Sequence, residues 1–349
     1  MVDLEPTRKR ASFLKATMVA IMSLFLALSA FSLRYSLSNT ARPPVIVPST
    51  LAQGAYHIHT DESHDGHQST DDVIEAARQL GLHFVIITDH NKKLWNIEET
   101  DGLWVIRGPE LSTDIGHVVS LTSEDSPLNI LAHPGRRRAP VSQLPSDTRG
   151  IELVNPTVTL ENLAFSSPAS LILTALSYLA EPSVALTSAL ANDRQTLKLL
   201  EGEAQPSLWC AVDAHGLIPA RWNLAIWTMT LDLKQDHLSA AALIKALHAG
   251  PVGCHSSLVA TGQPIDVDVD LSGQWTFSLK RAFPFDGSWR VYRDGQPIVT
   301  SANKTLTYVP SIPGRYHVEY WGELPGADLS THPRLIAFRD LQKNLSSHP

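Results

Sequence analysis

Histidine and carboxylate side chains cluster in one part of this chain. Eight of its fifteen histidines lie between Gly54 and Pro134. Imidazole and carboxylate groups are ligands suited to Zn²⁺, Mn²⁺ or Fe²⁺. The candidate ligands in this stretch and in one later motif are His57, His59, Asp65, His90, Glu110, His117, His133, Asp213 and His215. The set predicts a metal centre built from His, Asp and Glu side chains.

The metal prediction rests on the whole set, because a lone buried histidine is more often a hydrogen-bonded core residue than a ligand. His57 and His59 are two residues apart, so in a strand both side chains point to the same side and can share one ion. Asp213 and His215 repeat that spacing. Burying six histidines, two aspartates and one glutamate together would be costly without cations. We therefore expect cations among these side chains.

Short apolar, β-branched runs alternate with polar turns and helical segments from Gly54 onward. The runs read GAYHIH, HFVIITDHN, LWVIRGPE, HVVSLT, NILAHPG, GIELVNP and SLWCAVDAHG. Between the first two, Ser69 or Thr70 and later Gly81 mark the start and stop of a helix. Such alternation is typical of a parallel sheet covered on its faces, and seven strands predict a closed or nearly closed barrel. Chemistry in these barrels lies at the C-terminal strand ends, where every candidate ligand except His117 is found.

The motifs HIHTDESHDG, ITDHN, GPE, GHVVSL, AHPG and VDAHG resemble those of the polymerase and histidinol phosphatase (PHP) superfamily of metal-dependent phosphoesterases. The resemblance covers roughly residues 54–262 and implies an α/β fold, a distorted seven-stranded (β/α) barrel. By motif, the family's ligands of a first metal correspond to His57, His59, Glu110 and Asp213, those of a second to Glu110 as a bridge, His117 and His133, and those of a third to Asp65, His90 and His215. Two or three divalent ions are therefore expected.

Charge counting supports the chemistry that the resemblance implies. Three carboxylates bring about −3 and two or three divalent ions bring about +4 to +6, so the cavity should attract a small anionic substrate. The expected reaction is phosphoester hydrolysis, in which a bridging hydroxide attacks phosphorus without a covalent enzyme intermediate. The residues expected to carry it are Asp65, His90, Glu110, Asp213 and His215.

Several further residues are candidates for supporting the ligands or binding substrate. Ligand histidines need partners that fix their tautomers, and Asp89, Glu152 and Asn155 are predicted near them, together with Thr60 and Thr88. His64 is a candidate proton donor in the first loop, as is His67, and a surface role is the alternative for both. Arg136, the first of three consecutive arginines, is predicted either to bind a phosphate or to lie in a solvated loop.

The N-terminal residues have the order of an export signal. Ala16 to Leu33 are uncharged and follow four basic residues, so residues 1–34 are predicted to be a signal peptide or a retained membrane anchor. Residues 35–53, with three prolines, are predicted to form an extended tether. The body would then be periplasmic or otherwise extracytoplasmic, either soluble after cleavage or anchored by residues 16–33.

Composition limits the classes of partner and of cross-link. The chain is 43% hydrophobic and 18% charged with a net charge of −7, which argues against disorder and against nucleic-acid binding through a basic face. Its two cysteines, Cys210 and Cys254, are interpreted as small core residues. Export would allow a disulfide between them as the alternative.

The remaining segments predict an insertion and a second domain. Within a barrel at residues 54–262, residues 157–207 are a ligand-free helical insertion whose uncharged run 169–180 is read as a buried or lid helix. Alternating runs and the hairpin signal Asp294-Gly295 predict an all-β sandwich at 263–340, followed by a tail at 341–349. A similar sandwich follows the barrel in a PHP branch that includes carbamate-cleaving esterases. The alternatives are thus hydrolysis of a carboxyl or carbamoyl ester by the same metals, and a non-catalytic, metal-stabilised binding module.

Overall fold

The computed structural model describes most of the chain beyond Pro48. The described residues are 17–19, 21–23, 25–26, 48–90, 92, 95–121, 127–137, 141–190, 195–200, 206–234, 236–260, 262–280, 283, 285–325 and 331–343. Most of the predicted signal or anchor segment and residues 35–47 of the predicted tether lie outside them; the described residues between 17 and 26 are helical and exposed. Among the described helices, none has both the length and the apolarity that crossing a bilayer requires.

From Pro48 onward, the described part of the chain contains eighteen strands and six α-helices. The strands are β1 (Leu51–Ile58), β2 (Phe84–Ile87), β3 (Asn96–Thr100), β4 (Leu103–Arg107), β5 (Glu110–Thr113), β6 (Gly116–Leu121), β7 (Leu128–Leu131), β8 (Thr148–Val154), β9 (Ser207–Cys210), β10 (Thr228–Asp232), β11 (Gly253–His255), β12 (Ile265–Val269), β13 (Trp275–Leu279), β14 (Gly287–Arg293), β15 (Gln296–Ser301), β16 (Leu306–Tyr308), β17 (Gly314–Pro325) and β18 (Thr331–Lys343). The helices are α1 (Thr70–Gln79), α2 (Pro156–Ser166), α3 (Pro168–Ala180), α4 (Pro182–Leu186), α5 (Ala220–Ile226) and α6 (Ala240–Ala249). Two 3₁₀ turns, Thr187–Ala189 and Gln195–Leu200, follow α4.

The strands that carry the ligand motifs are divided between two sheets. A ten-stranded sheet has the order β15-β14-β17-β18-β11-β10-β1-β2-β4-β3, and a five-stranded sheet has the order β5-β6-β7-β8-β9. Pairing is parallel in β1-β2-β4 and β7-β8-β9, as predicted, but antiparallel in β5-β6-β7 and between β1 and β10. The described fold is therefore mixed α/β with a large sheet, and it does not show the distorted seven-stranded (β/α) barrel that was predicted.

The two sheets meet where the ligand motifs lie. Isolated parallel bridges join Ile58 to Ala214 and His90 to Glu110. The main-chain N–H of His59 donates to the carbonyl of Ala214 at 2.9 Å, and that of Val212 donates to Tyr56 at 2.9 Å. Backbone hydrogen bonds thus hold the ends of β1 and β9 side by side, although the two strands belong to different sheets.

Helix α1 begins and ends where the sequence predicts. Ser69 is the N-cap: its hydroxyl accepts the N–H of Asp72, and the Asp72 carboxylate accepts the N–H of Ser69 in return. This reciprocal pair satisfies two donors that the helix start would leave open. Gly81 follows the helix at φ 67°, a conformation that glycine adopts without steric cost. The helix buries Val73 and Ala77 and connects β1 to β2.

The C-terminal region is rich in strands, as predicted, but one of its layers continues into the sheet that holds β1. Asp294 and Gly295 both have positive φ and connect β14 to β15 in the predicted hairpin. Strands β12, β13 and β16 form a separate three-stranded sheet, and Trp275 of β13 packs edge-on against Tyr316 of β17 at 5.1 Å between ring centroids. Strand β18 extends past residue 340 and pairs with β11.

Two expectations about burial and cross-linking are corrected. Of the two roles expected for helix α3, a buried helix or a lid, the buried one is wrong, because Ile172 is 61% and Leu179 72% exposed and its apolar face is not buried among the described residues. Cys210 and Cys254 are core residues, as predicted, but they are joined in a disulfide rather than free. This bond links β9 of the five-stranded sheet to β11 of the ten-stranded sheet. Its two half-cystines are 44 residues apart and sit on different sheets, a proximity that no local pattern reveals.

Candidate metal centre

Three of the candidate ligands have left-handed backbone conformations at strand ends. The φ angles are 71° at His57, 31° at His133 and 47° at Asp213. Non-glycine residues adopt positive φ rarely and at a cost that surrounding structure must offset. At His57 the pairing of β1 with β2 also shifts register, which marks a bulge. His57 and His59 do face one site, with ring centroids 5.1 Å apart, but a bulge aims them rather than the regular alternation that was predicted.

Glu110 lies at the centre of the histidine cluster. Its Oε1 is 2.8 Å from Nδ1 of His117 and 2.8 Å from Nε2 of His133. Its Oε2 is 3.3 Å from Nε2 of His57 and 3.2 Å from Nε2 of His59. Nε2 of His90 is also 3.5 Å from Oε2, so the two carboxylate oxygens face different imidazoles, two at Oε1 and three at Oε2. Glu110 therefore has the position that a bridging ligand requires.

All nine predicted ligands come together in overlapping groups. Within each group the nitrogen and oxygen atoms lie within 4.8 Å of one another. The groups are His57, His59 and Asp213; His57, Glu110 and His133; His90, Glu110 and His117; and His59, Asp65, His90 and His215. These four groups do not coincide with the three sets that the resemblance implies, since His57 is grouped with Glu110 and His133, and His90 with Glu110 and His117. His59 also approaches Asp65, and its ring stacks on His215 at 4.4 Å, so it lies between two candidate sites.

The cluster fits metal ions because several of its buried nitrogens are otherwise unsatisfied. Nε2 of His57 and both ring nitrogens of His59 make no hydrogen bond within the described part of the chain, and both residues are fully buried. A buried polar group without a partner costs roughly 1–3 kcal/mol. Imidazole nitrogen and carboxylate oxygen are the donors that borderline divalent metals take. These residues could therefore hold metal ions.

The electrostatics of the cluster keep its carboxylates ionised. Burial alone would raise the pKa of Glu110, but His57 and the hydrogen bonds from His117 and His133 outweigh it and hold that pKa far below its ordinary value. For Asp213, burial is likewise outweighed, chiefly by His57 and His133, and its pKa is lowered. Ionised carboxylates are the form that binds cations.

Glu152 and Asn155 support the cluster from β8 and the turn after it. Oε1 of Glu152 lies 2.5 Å from Nδ1 of His57, while Oε2 accepts the main-chain N–H of His133 at 2.7 Å and the Asn155 side-chain amide at 2.9 Å. Both residues were predicted near the ligand histidines, and the two that Glu152 contacts are His57 and His133. Asn155 also caps helix α2 by accepting the N–H of Val158.

Asp89 supports the first loop rather than the cluster itself. Its two carboxylate oxygens accept the main-chain N–H and the hydroxyl of Thr60, at 2.7 and 2.8 Å. Thr60 follows His59, so this pair fixes the backbone where β1 ends. The hydroxyl of Thr88, also a candidate, makes no hydrogen bond within the described residues.

A cavity of about 260 Å³ opens beside the ligands. Every side chain that lines it is polar, and the lining includes His64, Ser112, Arg136 and Thr157 besides seven of the candidate ligands. His64 is exposed, with its ring 5.0 Å from that of His90. His67 is exposed and does not line this cavity. Of the predicted proton donors, His64 alone has the position for the role.

Two supporting residues were missing from the sequence-based prediction. Ser63 donates to Asp65 at 2.8 Å and lies next to His90, whose main-chain N–H it accepts at 3.3 Å. Thr157, in the first turn of α2, lines the cavity and was counted with the ligand-free insertion. Ser63 follows β1, which carries His57, and Thr157 follows β8, which carries the supporting Glu152, so the rule that chemistry lies at strand ends could have found them.

Comparisons with known proteins agree with the geometry in the N-terminal part of the site. No curated protein and no solved structure matches the chain significantly. The family model of the PHP domain matches residues 55–112. That range includes five of the nine candidate ligands, His57, His59, Asp65, His90 and Glu110, and stops short of His117. The predicted resemblance of this chain to the PHP superfamily is thereby confirmed over residues 55–112.

Proposed function

We propose that this protein is a metal-dependent phosphoester hydrolase that acts on small anionic substrates at a site for two or three Zn²⁺, Mn²⁺ or Fe²⁺ ions. The observation that carries the proposal is the position of Glu110 among five imidazoles, beside a second cluster around Asp65. A single ion would not need this many converging donors. The PHP-domain match and the polar cavity support the same chemistry.

Divalent ions bound here would supply an activated water and positive charge for the phosphoryl oxygens. In the reaction, water forms a new P–O bond, the P–O bond to the alcohol breaks, and the leaving oxygen takes up a proton. His64 lines the cavity at its exposed edge, where an imidazole can give that proton. Arg136 lines the same cavity and can donate to a phosphoryl oxygen. Glu152 holds the ring of His57 in one orientation.

The test measures metal content and turnover on the same protein. Full-length protein loaded with Mn²⁺, Zn²⁺ or Fe²⁺ should hydrolyse an aryl phosphate. His59→Ala or Asp213→Ala should abolish turnover and lower the metal content. His248→Ala is the matched control, since His248 is exposed on α6. Turnover that survives both ligand substitutions would overturn the proposal.

The same substrate panel separates the alternative functions. Faster turnover of an aryl carboxyl ester or carbamate than of the phosphate would favour the esterase alternative, which the same metals could serve. Full metal occupancy without turnover on any substrate would favour a metal-stabilised binding module. An ionised central glutamate beside an open polar cavity favours an enzyme over that module.

We also propose that the protein acts outside the cytoplasm. The basic and apolar order of residues 1–34 supports export, and the disulfide between Cys210 and Cys254 suits an oxidising compartment. Cell fractionation with an antibody against the C-terminal region tests this. Recovery from the soluble extracytoplasmic fraction indicates cleavage, recovery from the membrane indicates an anchor at residues 16–33, and recovery from the cytoplasm contradicts export.

A further inference from the structure

A second cavity, of about 430 Å³, adjoins the metal cavity. The two share four lining residues, Arg136, Thr157, Asp213 and His215. Since two of the shared residues are candidate metal ligands, a molecule seated at the metals can extend into the second cavity without leaving the protein surface.

The walls of the second cavity differ in chemistry from those of the metal cavity. Aliphatic side chains from helix α2, from the segment after β9 and from helix α5 line it, among them Leu160, Val212, Ile218 and Ile226. Val212 and Ile226 are each only 2% exposed, so these walls belong to the core. The metal cavity has no aliphatic side chain among its described lining residues. One space therefore suits a charged group and the other an apolar one.

Two polar side chains of the second cavity are partly engaged with the protein. Nε of Arg136 donates to Oε2 of Glu161 at 3.2 Å, and the side-chain amide of Asn223 donates to the carbonyl of Ile218 at 3.0 Å. Against the aliphatic walls, a sugar or nucleoside would exchange its water hydrogen bonds for contacts with carbon, which is unfavourable. An alkyl or aryl group would lose no hydrogen bonds.

We propose that the second cavity binds the organic group of the substrate, so that the substrate class is a phosphoester of an apolar aliphatic or aromatic alcohol. This inference rests on the proposed function, because it needs the phosphoryl group to lie at the metals. The cavity volume is within the range of small-ligand sites. Each methylene that enters an apolar site contributes about 0.8 kcal/mol, which corresponds to about a fourfold gain in affinity.

The test is binding of unreactive n-alkylphosphonates, from methyl to octyl, to the Mn²⁺-loaded full-length protein by titration calorimetry. The expected result is a fall in Kd of about fourfold per methylene until the cavity is filled, with an increasingly negative heat-capacity change. A Kd that does not depend on chain length, or no binding of octylphosphonate, would overturn the inference.

Substitutions in the second cavity test whether the dependence of binding on chain length arises there. Leu160→Asn and Ile218→Asn should weaken octylphosphonate binding more than tenfold and leave methylphosphonate binding unchanged, which also shows that the folded anion site is intact. Leu179→Asn, on the exposed face of α3, is the control and should change neither. Equal weakening of both ligands by the cavity variants would contradict the assignment.

Turnover of the matching alkyl phosphates separates this inference from the function on which it rests. Hydrolysis with a KM that falls with chain length supports both. If the alkyl phosphates are hydrolysed with a KM that does not depend on chain length, the second cavity does not bind the substrate's organic group. The proposal of phosphoesterase activity is then still supported. Chain-length-dependent binding without hydrolysis of any phosphoester supports the apolar pocket and overturns the phosphoesterase.

Discussion

Nδ1 of His57 lies 2.5 Å from a carboxylate oxygen of Glu152, on the side of the ring away from Glu110. A carboxylate oxygen accepts hydrogen bonds, so the imidazole donates through Nδ1 and presents Nε2 to the centre of the cluster. That nitrogen makes no hydrogen bond within the described part of the chain. Glu152 thereby prepares His57 to be a metal ligand through Nε2.

The first prediction concerns this carboxylate. Glu152→Gln should weaken metal binding about 10- to 100-fold, because the partner that orients a ligand histidine carries that much affinity. Competition with a chromophoric chelator measures the dissociation constant. His248→Ala should bind metal like the wild type, and an unchanged affinity in Glu152→Gln would show that the contact is only structural.

The second prediction concerns Arg136, which lines both cavities. Glu161 holds its Nε, and the other guanidinium N–H groups donate no hydrogen bond within the described residues. Arg136→Ala should raise KM for a phosphate ester about 10- to 100-fold, the size of a lost charge-assisted hydrogen bond, and Arg136→Lys should restore part of it. Steady-state kinetics gives both constants. Arg137, whose guanidinium lies over the Phe165 ring, is the control, and an equal effect of Arg137→Ala would argue against a specific role for Arg136.

The third prediction concerns stability in acid. Burial, with a smaller contribution from Lys280, lowers the pKa of His255 to about 3. The folded protein keeps this imidazole neutral, while the unfolded chain takes up a proton below about pH 6.5. Its contribution to stability is therefore complete above pH 6.5 and is lost as the pH falls towards 3, by roughly 2 kcal/mol at pH 5 relative to pH 7.5.

Urea denaturation of the wild type and of His255→Gln at both pH values tests this. The variant should lose roughly 2 kcal/mol less unfolding free energy than the wild type between pH 7.5 and 5. His237→Gln removes an exposed imidazole and should behave like the wild type. Identical pH dependence in all three proteins would mean that His255 titrates normally.

The fourth prediction concerns the disulfide. It closes a separation of 44 residues between β9 and β11, for which chain entropy gives roughly 4 kcal/mol of stabilisation. The double variant Cys210→Ala, Cys254→Ala should lose about that amount in urea denaturation. Reductant should destabilise the wild type and leave the double variant unchanged. If the reductant destabilised both proteins equally, its effect would not come from reduction of this disulfide.

Local patterns predicted much of the fold where local chemistry decides it. Ser69 and Asp72 cap α1, and Asp294-Gly295 turns the β14-β15 hairpin, because capping and turn geometry depend on neighbouring residues only. Sheet membership was not predictable in this way. The TMTLD segment of β10 separates β1 from β11 and the C-terminal strands, and nothing in its apolar residues specifies that antiparallel neighbours lie on both sides.

The sequence by itself determined the ligand types, their order along the chain and the resemblance to PHP domains. The reason is that the type of each side chain decides which metals it can bind, and the motifs are short stretches of neighbouring residues. Only the tertiary structure decided which side chains share a site. It placed Glu110 among five imidazoles and His59 between two clusters, and it joined Cys210 to Cys254. The physical reason is that these contacts join residues far apart in the chain. Bulges, left-handed backbone conformations and sheet edges orient the side chains that make them. Their geometry depends on how the whole core packs.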